Sequence, residues 1–232
     1  MTSLASVARS AFLPLPEVSR LSSLRRSTSL FSQGQVADSL YFIEDGLVKL
    51  TRTSGSGSRI ILSICGPGHV VGEEVLGDEA PTYYSEAEVL TPANVMRIPR
   101  EALTRALATH SELCSAITAT IIQQKNALAE KVELLCLHDV EYRILHYLAQ
   151  LASLVKPVSD GEGYQLPITQ LELADLIGAT RETTSTTLNQ LERRGLVRLS
   201  RRLLTIPSPV TLRTAASARV NGNGVSASAA GL

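Results

Sequence analysis

Hydrophobic and polar positions change their periodicity along the chain, and the first part has the pattern of short strands. Leu40–Ile43 is a run of four apolar residues that ends before Gly46. Similar runs follow, each bounded by Gly, Pro or Ser, at Leu47–Arg52, Arg59–Ile64, Glu86–Leu90 and Asn94–Ile98. Short strands that recur about every 8–12 residues predict an all-β barrel, sandwich or jelly roll.

The middle of the chain has a helical period. Between Ser111 and Leu137 neither Pro nor Gly occurs, and apolar residues spaced by seven predict one long helix. The apolar stripe fits a helix packed on its own domain or a parallel two-stranded coiled coil, although Gln124 and Lys131 lie where a second apolar seam would run. In a dimer, the expected seam residues are Ile117, Ile121, Leu128 and Leu135.

The last part predicts a compact helical module. Thr169 and Glu172 form a capping-box pattern, and Gly178 ends the helix that follows. Thr180 is the expected N-cap of a second helix that runs to about Arg194, and two apolar runs around Arg201 and Arg202 predict a β-hairpin. Two helices joined by a short turn and followed by a hairpin are typical of a winged helix-turn-helix.

These patterns predict an α+β protein with five segments. After Pro207 the composition is dominated by Ala, Ser, Gly, Val and Asn, which is typical of a disordered tail. The segments are an N-terminal arm (1–20), a β-roll (21–110), a dimerisation helix (111–137), a winged-helix domain (138–206) and a disordered tail (207–232).

Composition narrows the functional classes. The 232 residues carry 22 basic and 22 acidic side chains, so bulk charge does not favour coating of nucleic acid. The balance is uneven, because residues 1–90 hold 7 basic and 10 acidic residues and residues 181–213 hold 7 basic and 2 acidic. A neutral total that conceals a basic module is expected when one module alone binds a polyanion.

The predicted second helix carries the chemistry for reading DNA. Arg181 can bond guanine through two hydrogen bonds, and Glu182 can accept one from a cytosine amino group. Hydroxyl and amide side chains near the two helix starts, with the wing arginines, can contact phosphates. The predicted DNA-binding residues are Thr169, Gln170, Thr180, Arg181, Glu182, Thr183, Ser185, Thr186, Thr187, Arg201 and Arg202.

This module resembles the winged helix of the Crp/Fnr superfamily of transcription regulators. The stretch from Ile168 to Ile206, with its Arg181-Glu182-Thr183, is similar to that family's DNA-binding motif, and YFIEDGLVKL and PGHVVGEE resemble its cyclic-nucleotide-binding β-roll. The resemblance covers about residues 28–206. It implies a homodimer on palindromic double-stranded DNA, with RNA polymerase as a further partner.

The same comparison indicates an altered effector pocket. Gly72 and Glu73 match the family's phosphate cassette, but Tyr83 and Tyr84 replace its Arg-Ser pair. Leu128 and Ala129 replace the Thr-Ser pair that contacts adenine. A cyclic phosphate needs a cation or several donors, so we expect cyclic AMP to bind weakly or not at all, with the pocket either empty or serving another ligand.

Other cofactors and enzyme activities find no support in the sequence. No cysteine precedes Cys65, so an iron–sulfur cluster is not expected, and His69, His110, His138 and His146 are too scattered to suggest haem. No metal site or catalytic motif is predicted. Cys114 and Cys136 are expected to be packed thiols, which leaves Cys65 as the redox candidate.

The sequence therefore predicts a cytoplasmic, non-enzymatic transcription regulator that spans no membrane. Two mechanisms stay open, namely DNA binding without a ligand and gating by an unidentified ligand in the β-roll. A third hypothesis is a ligand sensor whose helix-turn-helix contacts only protein, although the basic wing argues against it.

Overall fold

The chain divides into two compact units, Met1–Glu130 and Lys131–Leu232. The computed structural model describes residues 4–77, 80–158, 163–200 and 203–227, with the side chains of 5, 6 and 220–227 excepted.

The first unit contains a β-roll with helices at both ends of its sequence. Its elements are α1 (Leu4–Phe12), β1 (Ser19–Leu24), β2 (Ser29–Phe31), β3 (Ser39–Asp45), β4 (Val48–Thr53), β5 (Arg59–Cys65), β6 (Val70–Val71), a 3-10 turn (Glu73–Leu76), β7 (Glu86–Val89), β8 (Ala93–Pro99), α2 (Arg100–Thr109) and most of α3 (Ser111–Leu137).

The strands form two four-stranded antiparallel sheets, with orders β1-β8-β3-β6 and β2-β7-β4-β5. Phe42 pairs with Met96 in the first sheet and Val48 with Val89 in the second, and all four are buried. Helix α2 packs on β3 and β8. Because β3 is covered on both faces, it is a continuous apolar run without alternation. The predicted β-roll and long helix are confirmed.

The predicted N-terminal arm is an integral part of this unit. Ala8 and Phe12 on α1 are fully buried in the core. The carboxylate of Glu44 accepts two hydrogen bonds from Arg20 and lies 3.3 Å from the guanidinium of Arg9, which joins α1, β1 and β3. The prediction of a separate arm is therefore wrong, because apolar residues on one face of α1 complete the core.

The second unit is a winged helix-turn-helix. Besides the end of α3, it contains α4 (Val140–Ala152), β9 (Tyr164–Leu166), α5 (Gln170–Ile177), α6 (Arg181–Arg193), β10 (Arg198–Leu199), β11 (Leu204–Ile206) and α7 (Pro209–Ala227). The order β10-β11-β9 makes an antiparallel sheet. The predicted helix pair and hairpin are both present, so the winged helix-turn-helix is confirmed.

Helix α7 corrects the prediction of a disordered tail. Pro209–Ala227 is helical, and α7 packs along α4 with Leu212 and Ala216 buried. Arg219 adds hydrogen bonds to Asp139 and Glu141 at the start of α4. The small residues whose composition predicts disorder do not prevent this helix from packing on α4. Residues 228–232 of the predicted tail lie outside the described residues.

Candidate DNA-binding surface and effector pocket

Helix α6 presents the predicted base readers on its first turn. The hydroxyl of Thr180 accepts a hydrogen bond from the backbone N–H of Thr183 and so caps the helix, as predicted. Arg181, Glu182 and Thr183 follow directly and are exposed. Capping fixes where the helix starts and thus places the two charged side chains at its N-terminal end, the end that contacts base edges in helix-turn-helix proteins.

The exposed face of α6 continues beyond its first turn. Thr184, Leu188 and Leu191 are buried, which leaves Thr186 exposed and Ser185 half-buried on the outer side. Asn189 is also exposed, eight residues after Arg181 and four after Ser185. Sequence reasoning missed Asn189, although this spacing places it on the same helix face.

Some predicted phosphate donors already have partners. The hydroxyl of Thr169 donates to Glu172 at 2.9 Å, and the backbone N–H of Thr169 donates to the same carboxylate oxygen. Thr180 and Thr183 share a hydrogen bond of 3.0 Å between their hydroxyls, and the Thr187 hydroxyl donates to the carbonyl of Thr183. A phosphate contact from these groups therefore competes with a helix cap or an intrahelical bond.

A cleft lies between the start of α5, the start of α6 and the wing. Its lining combines polar and apolar residues from the starts of the two helices and from the wing. These residues are Ile168, Thr169, Gln170, Leu171, Arg181, Leu199, Ser200 and Leu203. Gln170 is half-buried and borders this cleft. The predicted wing arginines Arg201 and Arg202 lie outside the described residues. Arg198 on β10 is exposed and is a further basic group of the wing.

In the β-roll, Tyr83 is buried beside the cassette. Its side chain is 1% exposed, and its ring stacks on Phe31 with 3.9 Å between centroids. Its hydroxyl donates to the carbonyl of Ser39 at 2.8 Å and accepts from the Ser39 backbone N–H. Burial raises the pKa of this phenol above its ordinary value, so Tyr83 is a neutral, fully bonded group at neutral pH.

The cassette backbone is in close contact with this ring. Gly72 has φ +83°, and a Cβ there would lie 3.0 Å from Cε1 of Tyr83. Glu73 opens the 3-10 turn and is half-buried, and its burial raises the pKa of its carboxyl. Gly72 of the cassette therefore lies directly against the Tyr83 ring.

The predicted pocket residue Tyr84 lies at the surface, unlike its buried neighbour Tyr83. It is 58% exposed, and the guanidinium carbon of Arg52 lies 3.6 Å from its ring centroid. Its backbone N–H donates to Glu74, and its carbonyl accepts from Arg52. Sequence reasoning missed Arg52, because the contact joins residues on different strands and loops.

The α3 residues facing the β-roll are polar as well as apolar. Gln124 donates to the carbonyl of Val70 at 2.9 Å, while its Oε1 is buried without a hydrogen-bond partner. The side chain of Cys65 is buried 3.9 Å from Gln124, and burial raises the pKa of its thiol to about 11. A buried protonated thiol is a poor redox group, which argues against the predicted redox role of Cys65.

The outer face of α3 differs from the predicted seam. Ile117 is 2% exposed and packs in the β-roll core, so its assignment to a dimer seam is wrong. Ile121 and Leu135 are half-buried, whereas Leu128 and Ala129 are exposed. Cys114 and Cys136 are exposed rather than packed. The exposed stripe of α3 has alternating spacings of four and three, at Thr118, Ile122, Lys125, Ala129, Val132 and Cys136.

Within the described ranges, no group of three or more His, Cys, Asp or Glu side chains could hold a metal ion. Likewise, no helix in the described part of the chain is long and apolar enough to cross a membrane.

Comparison with known proteins identifies both units. Residues 21–110 match the cyclic nucleotide-binding domain, and residues 142–215 match the Crp-like helix-turn-helix domain. A "CRP-like cAMP-activated global transcriptional regulator" of Mycobacterium tuberculosis is 30% identical over 178 residues, which cover 75% of this chain and 78% of the relative. The chain belongs to the Crp/Fnr family of transcription regulators.

Two further proteins similar to this chain are also regulators, but their names point to other signals. The nitrogen fixation regulation protein FixK of Azorhizobium caulinodans is 30% identical over 183 residues, covering 77% of this chain and 72% of FixK. The c-di-GMP-responsive regulator CLP of Xanthomonas campestris has a similar structure, with a TM-score of 0.74, 25% identity and coverage of 87% and 98%. This Crp/Fnr protein is thus a DNA-binding transcription regulator and not an enzyme.

Proposed function

We propose that this Crp/Fnr regulator binds a palindromic promoter site as a homodimer, without cyclic AMP, and acts there on RNA polymerase. The observation that carries the ligand proposal is the side chain of Tyr83. It stands where the family's cyclic-AMP-binding members have an arginine, and both its ring and its hydroxyl are already engaged.

Two physical arguments support independence from cyclic AMP. The Tyr83 ring is at contact distance from the Gly72 backbone, so it occupies space beside the cassette. A cyclic phosphate would also have to replace its hydration with charge-assisted hydrogen bonds, and the phenol of Tyr83 offers no charge. The guanidinium of Arg52 is stacked on Tyr84 instead.

Calorimetric titration of the full chain with cyclic AMP tests this proposal. We expect no binding heat at cyclic AMP concentrations up to about 1 mM. A dissociation constant of about 1 mM would correspond to a binding free energy of about −4 kcal/mol. DNA affinity, measured by fluorescence anisotropy, should be equal with and without the nucleotide. Micromolar cyclic AMP binding that also raises DNA affinity would contradict the proposal.

A second candidate mechanism is gating of the same regulator by another ligand. The unpartnered Oε1 of buried Gln124 and the partly buried carboxyl of Glu73 favour it, since both would accept hydrogen bonds from a ligand with donor groups. Titration with c-di-GMP, to which the relative CLP responds, is the first comparison. Binding coupled to a change in DNA affinity would favour gating over ligand-independent DNA binding.

A further inference from the structure

The turn between the two helices of the helix-turn-helix is held by side chains from α3 and α4. The ammonium of Lys131 donates to the carbonyl of Leu176, and the guanidinium of Arg143 donates to the carbonyl of Ile177 at 2.7 Å. A Cβ on Gly178, which has φ +63°, would lie 2.8 Å from Cδ2 of Leu135. The end of α5 is thus fixed from two helices at once.

These hydrogen bonds satisfy groups that the helix itself leaves open. The last carbonyls of an α-helix have no intrahelical partner and carry the negative end of the helix dipole. Leu176 and Ile177 are buried, so water cannot easily replace the two cations. Charge-assisted hydrogen bonds at such carbonyls are short and directional, and two of them define the position of the helix end.

Burying a cation at this position carries a desolvation cost. Lys131 is 5% exposed, and its ammonium lies 5.1 Å from the ring centroid of Tyr147. Burial, with the nearby charge of Arg143, lowers the pKa of Lys131 to about 8. A lowered lysine pKa means that the folded state disfavours the charged form. An apolar side chain of similar length would avoid this desolvation cost but would leave the buried carbonyl of Leu176 without its donor.

We propose that Lys131 and Arg143 are positioning residues for sequence recognition. By fixing the end of α5 they fix the turn Gly178–Thr180, and through it the direction in which α6 presents Arg181 and Glu182. Base contacts depend on the exact direction of a side chain, whereas phosphate contacts tolerate small rotations. This inference rests on the proposed role of Arg181 as a base reader.

The test compares affinity for a specific palindromic site with affinity for unrelated duplex DNA, at one salt concentration. Lys131→Met removes the donor, Lys131→Arg keeps it, and Lys156→Met removes one exposed charge from the same unit. We expect Lys131→Met, once circular dichroism shows that it is folded, to lower the specific-to-nonspecific ratio about tenfold. Lys131→Arg should recover most of the ratio, and Lys156→Met should not alter it.

Arg181→Ala separates this inference from the proposed function. If Arg181→Ala lowers the ratio and Lys131→Met leaves it within about twofold of the wild type, the positioning role is wrong. If Arg181→Ala itself leaves the ratio unchanged, the proposed role of Arg181 as a base reader is wrong, and the inference that rests on it is wrong with it. Should Lys131→Met not fold, Arg143→Met and Arg143→Lys are compared by the same criterion, and an unchanged ratio in a folded Arg143→Met overturns the proposal.

Discussion

We expect sequence recognition to depend most on Arg181. It is exposed at the start of α6, directly after the Thr180 cap. Loss of a bidentate guanine contact should cost roughly 1–3 kcal/mol per half-site. We therefore expect Arg181→Ala to flatten base preference at one position of the selected consensus. Selection of sites from a random library with wild type and mutant measures this, and an identical consensus would show that Arg181 is not a base reader.

The three cysteines should differ in reactivity because of their environments. Cys65 is buried with a pKa of about 11, whereas Cys114 and Cys136 are exposed. A raised thiol pKa leaves less thiolate at neutral pH, and thiolate is the reactive form. Titration of the native chain with a thiol reagent at pH 7.5 should give a fast equivalent from Cys114, while Cys65 should react only on denaturation. Cys136 lies on the exposed stripe of α3, where a dimer contact would slow its reaction. A fast third equivalent under native conditions would contradict the burial of Cys65.

At the scale of secondary structure, α7 should contribute to folding of the DNA-binding unit. Leu212 is 0% exposed and packs toward α4, while Val210 on the same helix is 65% exposed. Leu212→Ala should lower the free energy of unfolding by about 2–5 kcal/mol, the usual cost of such a core truncation. The matched control Val210→Ala should change it by less than about 0.5 kcal/mol. Urea unfolding followed by circular dichroism measures both free energies. Equal effects of the two substitutions would mean that packing of α7 on α4 does not stabilise the unit.

Elements with local signals were predictable, and elements held by distant contacts were not. The Thr169–Glu172 capping box and Gly178 define α5 from residues only a few positions apart, so sequence alone located it. Helix α7 depends on burial of Leu212 against α4, which no local pattern indicates. The sequence indicates that Tyr83 stands near the cassette in place of an arginine, but its stacking on Phe31 joins residues far apart in sequence. The altered pocket therefore stays a prediction, and no local pattern indicated the contacts that Tyr83 makes.

For the whole molecule, the exposed stripe of α3 changes where a dimer contact is expected. Gln124 and Lys131, which argued against a coiled coil, face their own chain: Gln124 bonds Val70 and Lys131 bonds Leu176. They are therefore absent from the outer surface of α3. The stripe from Thr118 to Cys136 instead has the four–three spacing of a coiled-coil seam. It is partly polar, since it includes Lys125.

If the homodimer forms through this stripe, a charge at its centre should dissociate it. Val132 is 60% exposed on the stripe, whereas Gln123 is exposed on another face of α3. Val132→Asp would bury two like charges in the contact, each with a desolvation penalty of about several kcal/mol, while Gln123→Asp adds the same charge outside it. In sedimentation velocity at micromolar concentration we expect the wild type and Gln123→Asp to be dimers and Val132→Asp a monomer. A dimeric Val132→Asp would mean that the protomers associate through another surface. The spacing of the two α6 helices on DNA would then have to be derived from that other dimer.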